Sequence, residues 1–267
     1  MNNAIFKNAP VTGQWADLAA FTGELADKAA CCTTHHFRKP IEVHTKSDNS
    51  PVTFADRETE RLMRQMITDA YPKHGVLGEE HANTGADSDN LWVIDPIDGT
   101  KSFISGLPLY GTLIAYLQGQ QVRIGAISMP SMKEFWIAVE GEGCFMNGSP
   151  CHVSDCRELA DAILMATSPE YFVGDNLTRF TNLSKQTRVR RYGGDCYTYA
   201  MVASGWADIV VECGLQSYDY MALIPVIEEA GGVVTDWSGE KLNLNSDGTI
   251  IAAATPELHR QALEFLS

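Results

Sequence analysis

Residues 92–100, Trp92-Val93-Ile94-Asp95-Pro96-Ile97-Asp98-Gly99-Thr100, join an apolar run to two aspartates, a proline and a Gly-Thr pair. The apolar run predicts a buried strand. Because proline fixes φ and lacks a backbone N–H, we expect the chain to leave the strand sharply at Pro96. Gly99 permits a tight turn or the close approach of a ligand.

Such a turn can direct the two aspartates and the Ile97 carbonyl toward one point. A cluster of hard oxygen atoms is what a Mg²⁺-type ion requires. The alternative is a strand that ends in a polar Asx turn without further function. The short motif alone leaves both interpretations open.

The composition predicts an acidic globular protein with room for a full core. The chain has 267 residues, of which 45% are hydrophobic and 20% charged, and 34 acidic against 20 basic residues give a formal net charge of −14. This balance argues against binding nucleic acid through a general basic surface. An anionic substrate would be repelled unless cations or local arginines intervened.

Residues 1–13 contain no apolar h-region, and no later run is long enough to span a membrane. Seven cysteines form no C-x-x-C pair, and their odd number without a secretion signal predicts reduced thiols in the cytoplasm. Cys31-Cys32 with His35-His36 suggests zinc ligands, but adjacent cysteines on a helix point to different sides, which disfavours that set.

Hydrophobic periodicity predicts helices over residues 14–31 and 56–70, separated by an exposed connection over 35–49. Strands and hairpins follow up to the Asn147-Gly148 turn, and the remainder mixes strands and helices. One helix is predicted from Tyr218 to Ala230, kinked at Pro225, and a last one begins at Pro256 with Thr255 as its N-cap. This order favours layered sheets and helices over a strictly alternating parallel fold.

Further acidic residues share the context of Asp95 and Asp98. Glu79 and Glu212 end predicted strands, and Asp219 begins a predicted helix. Asp56 either favours the dipole at the start of its helix or has a role in function. Buried acids must be paired or metal-bound, so their convergence would require cations. Two Mg²⁺ ions about 4 Å apart can activate water and stabilise a leaving oxygen in phosphoryl transfer.

Taken in order, these motifs resemble the inositol monophosphatase superfamily over residues 46–236. The matching strings are Val52-Thr53-x-x-Asp56, Gly78-Glu79-Glu80, Trp92-x-x-Asp95-Pro96-Ile97-Asp98-Gly99-Thr100, Tyr218-Asp219 and Glu229-Ala230-Gly231-Gly232. The resemblance implies an α+β or α/β fold, a layered αβαβα sandwich of the inositol monophosphatase and fructose-1,6-bisphosphatase type. It also implies one phosphatase unit, 1–267, with a metal-binding lobe over about 1–150 and an α/β lobe over about 151–267.

The resemblance also assigns roles to single residues. Glu79, Asp95 and the Ile97 carbonyl would hold a first Mg²⁺, and Asp95, Asp98 and Asp219 a second. Glu79 would help to hold a weaker third ion, and Mn²⁺ could replace Mg²⁺. Thr100 with Glu79 would orient and deprotonate the attacking water, with support from Asp56 and Thr53. The Gly99 and Thr100 amides would hold phosphate oxygens, and Asp98 and Asp219 would border the substrate.

The string Arg191-Tyr192-Gly193-Gly194-Asp195-Cys196-Tyr197 departs from most of the family and is similar to the histidinol-phosphate phosphatase branch. Gly193, Gly194, Asp195 and Glu212 would then contact the alcohol part of the substrate. A second carboxylate suits the ammonium group of histidinol, whereas a neutral polyol needs none. The alternative is that Asp195 only caps the following helix.

These features predict a Mg²⁺-dependent hydrolase of L-histidinol phosphate in histidine biosynthesis. The alternative is an inositol-1-monophosphatase or a broad phosphatase of sugar and nucleotide phosphates, and a non-catalytic relative is disfavoured because every expected ligand is present. The family predicts a homodimer that binds neither nucleic acid nor membrane. Lys46, Arg190 and Arg191 could steer phosphate or serve a neighbouring subunit.

Overall fold

The computed structural model describes residues 9–45 and 51–267, and these ranges contain eight α-helices and fourteen β-strands. The helices are α1 (Ala16–His36), α2 (Phe54–Ala70), α3 (Thr100–Ile104), α4 (Asp175–Ser184), α5 (Tyr197–Ala203), α6 (Ser217–Tyr220), α7 (Leu223–Glu228) and α8 (Pro256–Leu266). The strands are β1 (Val43–Thr45), β2 (Pro51–Thr53), β3 (Gly75–Gly78), β4 (Asn90–Asp98), β5 (Gly111–Gln118), β6 (Gln121–Met129), β7 (Glu134–Val139), β8 (Gly143–Met146), β9 (Ser149–Pro150), β10 (Ile163–Ala166), β11 (Val189–Tyr192), β12 (Ile209–Glu212), β13 (Val233–Thr235) and β14 (Ile250–Ala253).

Two large sheets organise these elements. Seven strands pair in chain order from β3 to β9, and all pairs are antiparallel except the parallel pair β3–β4. The second sheet has the order β11-β10-β12-β14-β13, with parallel and antiparallel pairs. Both sheets therefore differ from a strictly alternating parallel fold, as the sequence predicts.

Side chains on the two sheets separate the helices into three layers. Along β4, Trp92 and Ile94 pack toward α1 and α2, whereas Leu91 and Val93 face the opposite side. That opposite side packs on α5 and α7, which also cover the inner face of the second sheet. Its outer face packs on α4 and α8. The order helix, sheet, helix, sheet, helix is the predicted αβαβα sandwich.

Strand β4 does not end where the sequence predicts. It continues through Pro96 to Asp98, but its register against β5 shifts between Asp95, opposite Leu113, and Asp98, opposite Gly111. The shift is a β-bulge, which accommodates proline because one residue leaves the ladder. The Thr112 hydroxyl donates to the Pro96 carbonyl at 2.8 Å. The bulge, rather than an abrupt strand end, turns the two aspartates.

Two helix predictions and one loop prediction also need correction. The segment predicted as one kinked helix from Tyr218 to Ala230 forms two helices, α6 and α7. Helix α1 continues to His36, five residues beyond the predicted end, and its last turn carries two histidines, which suit the C-terminal end of a helix dipole when protonated. In the predicted connection 35–49, strand β1 pairs with β2. Thr255 caps α8, as expected, by accepting from the Leu258 N–H at 3.2 Å.

The two sheets come from separate parts of the chain, residues 75–150 and 163–253. We propose the boundary between the two lobes near residue 150, with the shared core on α5 and α7 joining them. In the described part of the chain, none of the helices combines the length and apolar character needed to cross a bilayer.

Gly125 on β6 provides a test of the contact between the large sheet and α7. An added Cβ would clash with the Ala222 carbonyl oxygen and lie 2.5 Å from Pro225 Cγ. Because the backbone cannot move away cheaply, Gly125→Ala should lower the free energy of unfolding by about 1–3 kcal/mol in urea denaturation. Gly13→Ala is the control, since its Cβ would meet only the flexible side chain of Glu142. If both substitutions lowered the free energy of unfolding equally, close packing between β6 and α7 would be contradicted.

Candidate active site

Acidic side chains from three parts of the fold meet in one cavity. Asp95 and Asp98 lie on the bulged end of β4, and Asp219 lies on α6. One carboxylate oxygen from each lies within 4.8 Å of the others. With Glu79, which follows β3, they line a cavity of about 540 Å³. The structure thus brings together acids that are up to 140 positions apart in the sequence.

Backbone N–H groups orient these carboxylates. The Ile97 N–H donates to Asp95 at 3.0 Å, and the Cys196 N–H donates to Asp98 at 2.6 Å. At the start of α6, the Gln216 N–H donates to Asp219 at 2.7 Å in a capping box. Each aspartate therefore has one oxygen fixed by the backbone, which limits the directions in which the other can point.

The cluster is electrostatically costly. Burial raises the pKa of Asp95 well above its ordinary value, and the charges of Glu79 and Asp98 raise it further. Burial likewise raises the pKa of Asp219 and brings that of Asp98 to about 6, although the Cys196 hydrogen bond lowers the latter. Hard oxygen donors that repel each other fit a divalent cation such as Mg²⁺, which would offset the repulsion.

Thr53, Asp56 and Thr100 form a hydrogen-bonded group beside the cluster. The Thr53 side chain caps α2, and its hydroxyl and backbone N–H donate to Asp56 at 2.5 and 2.8 Å. The Thr100 hydroxyl lies 3.4 Å from the other oxygen of Asp56 and 3.1 Å from the Ile97 carbonyl. Asp56 therefore takes part in the capping box of α2 and also lies within hydrogen-bond reach of Thr100, while its role in function stays a prediction.

Two more carboxylates line the same cavity. Glu212 accepts bonds from the Thr167 N–H at 2.7 Å, the Thr167 hydroxyl and the Tyr199 hydroxyl at 3.3 Å. Asp195 accepts from the Ser102 hydroxyl at 3.1 Å. Burial raises the pKa of each to about 7, with further contributions from Asp98 at Asp195 and from Asp195 at Glu212. Asp195 and Glu212 therefore offer a cation either two negative charges or carboxyl protons that it could displace.

Gly99 connects the bulge of β4 to Asp195. It adopts φ of +81°, and an added Cβ would lie 3.0 Å from both Asp195 Oδ2 and the Leu109 carbonyl oxygen. A side chain here would be strained by the backbone and would push against Asp195. Glycine therefore allows the turn at the end of β4 and Asp195 to approach each other.

Not every residue predicted for the site reaches it. Gly193 and Gly194 are absent from the described residues that line the cavity, so substrate contact by these glycines stays a prediction. The alternative that Asp195 caps α5 is wrong, since Cys196 occupies the cap position and no side chain caps this helix.

Arg190 and Arg191, two of the basic residues left open by the sequence, do not line the cavity. Arg190 donates to the Ser184 carbonyl at 2.8 Å, where α4 ends, and Arg191 is exposed on the edge strand β11. Lys46 lies outside the described residues.

Sequence reasoning missed a lysine and several aromatic and hydroxyl side chains. Lys101 Nζ donates to the Tyr171 hydroxyl at 2.8 Å and lies 4.7 Å from the centre of that ring. Both side chains line the cavity, as do Thr167 and Tyr199. The position of Lys101 directly after Thr100 was a usable signal. The others come from loops and helix faces whose convergence no local pattern encodes.

Comparisons with known proteins agree with this geometry. The model of the inositol monophosphatase family matches residues 14–266. The chain is 40% identical over 257 residues to the bifunctional phosphatase IMPL2, chloroplastic, of Arabidopsis thaliana, covering 93% of this chain and 74% of that protein. It is 38% identical to the histidinol-phosphatase of Chlorobaculum parvum, covering 86% and 89%. An inositol monophosphatase structure from Zymomonas mobilis superposes with a TM-score of 0.88 at 38% identity, covering 96% and 99%.

The cluster of Asp95, Asp98 and Asp219 predicts that a substitution which stabilises the protein without metal will weaken cation binding. In chelator, Asp219→Asn should raise the melting temperature by at least about 2 °C, because it removes one buried negative charge and its repulsion with Asp98. In Mg²⁺ the melting temperature of the variant should instead lie below that of the wild type, because the variant has lost one of the proposed cation ligands. Thermal denaturation in both buffers measures this. Asp87→Asn, an equal charge change at an exposed position, is the control; a similar shift there would rule out local repulsion.

Proposed function

The chain belongs to the inositol monophosphatase family, and we propose that it is a Mg²⁺-dependent hydrolase of L-histidinol phosphate in histidine biosynthesis. The products are L-histidinol and phosphate. The observation that supports this substrate most is the pair of carboxylates, Asp195 and Glu212, in the cavity that also contains the cluster of Asp95, Asp98 and Asp219.

The donor set fits hard divalent cations, as the family resemblance implies. Glu79, Asp95 and the Ile97 carbonyl would hold one ion, Asp95, Asp98 and Asp219 a second, and Glu79 would contribute to a weaker third. Mn²⁺ has the same preference for oxygen ligands and would serve as a substitute. When bound, such cations lower the pKa of water and stabilise the negative charge that develops on oxygen.

The protein's own groups would then position the reactants. The Thr100 hydroxyl, held by Asp56 and the Ile97 carbonyl, orients the attacking water, and the Glu79 carboxylate accepts its proton. The backbone N–H groups of Gly99 and Thr100, at the first turn of α3, bind phosphate oxygens, because the first N–H groups of a helix have no partner within it. The water oxygen bonds to phosphorus in line as the bond to the alcohol oxygen breaks, and the proton that Glu79 accepted is returned through solvent to the released alcohol.

Substrate choice would depend on charge. Histidinol carries an ammonium group and a titratable imidazole. Hydrogen bonds between ionised partners are stronger than those between neutral groups. Asp195 and Glu212 can supply such bonds from the walls of the cavity. A neutral polyol would leave these two carboxyl groups without a cationic partner, at a cost in binding.

A second candidate substrate is inositol 1-phosphate, which the likeness to the Zymomonas mobilis inositol monophosphatase favours. A broad phosphatase of sugar and nucleotide phosphates belongs to the same alternative. All share the hydrolytic chemistry and differ in the alcohol that leaves.

We further propose that the chain works in the cytoplasm as a homodimer whose substrate is a small phosphate ester. The net charge of −14 disfavours nucleic acid as a partner. Size-exclusion chromatography with light scattering tests the dimer, and a monomer at micromolar concentration would contradict it.

The proposed substrate predicts a clear preference in a panel at fixed Mg²⁺. The kcat/KM for histidinol phosphate should exceed that for inositol 1-phosphate by about 10- to 150-fold, the range that one hydrogen bond to a charged group provides. Chelator should abolish turnover of both. A preference for the inositol ester would refute the histidinol assignment while leaving metal-dependent hydrolysis intact.

Asp195→Asn isolates the charge that we assign to substrate recognition. Asparagine tolerates the positive φ of 45° at this position and can still accept from Ser102, so the fold should persist. The kcat/KM for histidinol phosphate should fall about 10- to 100-fold, with a much smaller loss for a neutral phosphate ester. Glu170→Gln, an equal charge change at an exposed position, should spare both. Equal losses on the two esters would indicate a structural role for Asp195.

A further inference from the structure

Three metal-ligating side chains meet on the helical layer outside the acidic cavity. Cys32 and His36 lie one turn apart on α1, so they share a face of that helix. Glu58 approaches them from α2, which packs beside α1. The ligand atoms of all three residues lie within 4.8 Å of one another. We call Cys32, His36 and Glu58 the thiol cluster.

Neighbouring side chains orient the thiol cluster. His36 Nε2 lies 2.8 Å from Glu58 Oε2. The His36 ring meets the Phe54 ring edge-on at 5.7 Å and the His35 ring at 5.0 Å, which restricts its rotation. The buried Thr59 hydroxyl lies beside the Cys32 thiol and has no other partner in the described part of the chain, so its O–H can donate to a thiolate.

We propose that the thiol cluster binds a divalent cation of the zinc class, separate from the hard cations of the active site. Thiolate, imidazole and carboxylate are the three side-chain ligands that zinc accepts, whereas Mg²⁺ prefers oxygen alone. Three protein ligands leave one tetrahedral position for water. Water can reach it, since the His36 and Glu58 side chains are 21% and 33% exposed.

The ligand set differs from the one that the sequence suggests. Adjacent Cys31 and Cys32 diverge, as expected, with Cys31 exposed and Cys32 half-buried. One cysteine and one histidine then face α2, and the third ligand is Glu58, twenty-two positions beyond His36.

A bound cation would join the last turns of α1 to the first turns of α2. The same end of α2 carries Asp56, which accepts from the Thr100 hydroxyl and is itself held by Thr53. The thiol cluster is therefore placed to stabilise the helix that supports the active site. Metal binding of this kind adds directly to the free energy of unfolding.

Co²⁺ titration of the intact protein tests this site. Mg²⁺ in excess occupies the acidic cavity, and Co²⁺ serves as the spectroscopic substitute for zinc. The wild type should bind Co²⁺ with a thiolate-to-metal charge-transfer band and the visible bands of a tetrahedral ion. Oxygen ligands of the cavity cannot produce the thiolate band. Cys32→Ser should abolish it, and Cys31→Ser, the matched control on the other side of α1, should retain it.

Two further measurements keep the result interpretable. Competition with a chromophoric chelator measures the affinity for Zn²⁺. His36→Gln should weaken Zn²⁺ binding at least about tenfold, the loss expected even for a residue that only supports a ligand. His35→Gln should leave the affinity unchanged. Melting temperatures without metal should show that Cys32→Ser is folded. Absence of the thiolate band in the wild type, or its loss in Cys31→Ser alone, would overturn the proposal without affecting the assignment of the phosphatase.

Discussion

Repulsion between buried carboxylates is the constraint on which the rest of this structure depends. Asp95, Asp98 and Asp219 lie close together, and burial and repulsion by neighbouring carboxylates raise the pKa of each, which disfavours their simultaneous ionisation without a cation. The fold holds them there through rigid devices: a bulge in β4, a capping box in α6, and backbone N–H groups. Under the proposed function, cation binding would relieve this repulsion, so affinity for metal and lower stability without it would have one origin.

The sequence predicted the fold where its signals are local. The apolar runs of β4 and β5, the Asn147-Gly148 turn and the Thr255 cap all act over a few positions. It did not predict the bulge at Pro96, because a register shift depends on the partner strand. Nor did it predict the break between α6 and α7. For the site, the ordered acids were identifiable, but the contact of Lys101 with Tyr171 and the approach of Glu58 to Cys32 and His36 are tertiary contacts that no spacing along the chain encodes.

Helix α2 links folding to chemistry through its first turn. Thr53 and Asp56 satisfy backbone groups that every helix start leaves open, and the same carboxylate of Asp56 lies beside the Thr100 hydroxyl. Correct formation of this helix is thus part of the assembly of the candidate active site. Glu58 of the thiol cluster lies on the same part of α2, so a cation bound by the cluster would be linked to Thr100 through the first turns of this helix.

The hydrogen bond from Cys196 to Asp98 has a consequence for how such a scaffold diversifies. The donor is a main-chain N–H, so it persists whatever side chain the residue carries, proline excepted. The neighbouring Asp195 can therefore be exchanged while the aspartate turn keeps its anchor. Under the proposed role of Asp195, a change of preferred alcohol could arise by substitution at this one position while the aspartate turn stays in place. A family of phosphatases built in this way could change its substrate preference by single substitutions, each of which leaves a folded protein.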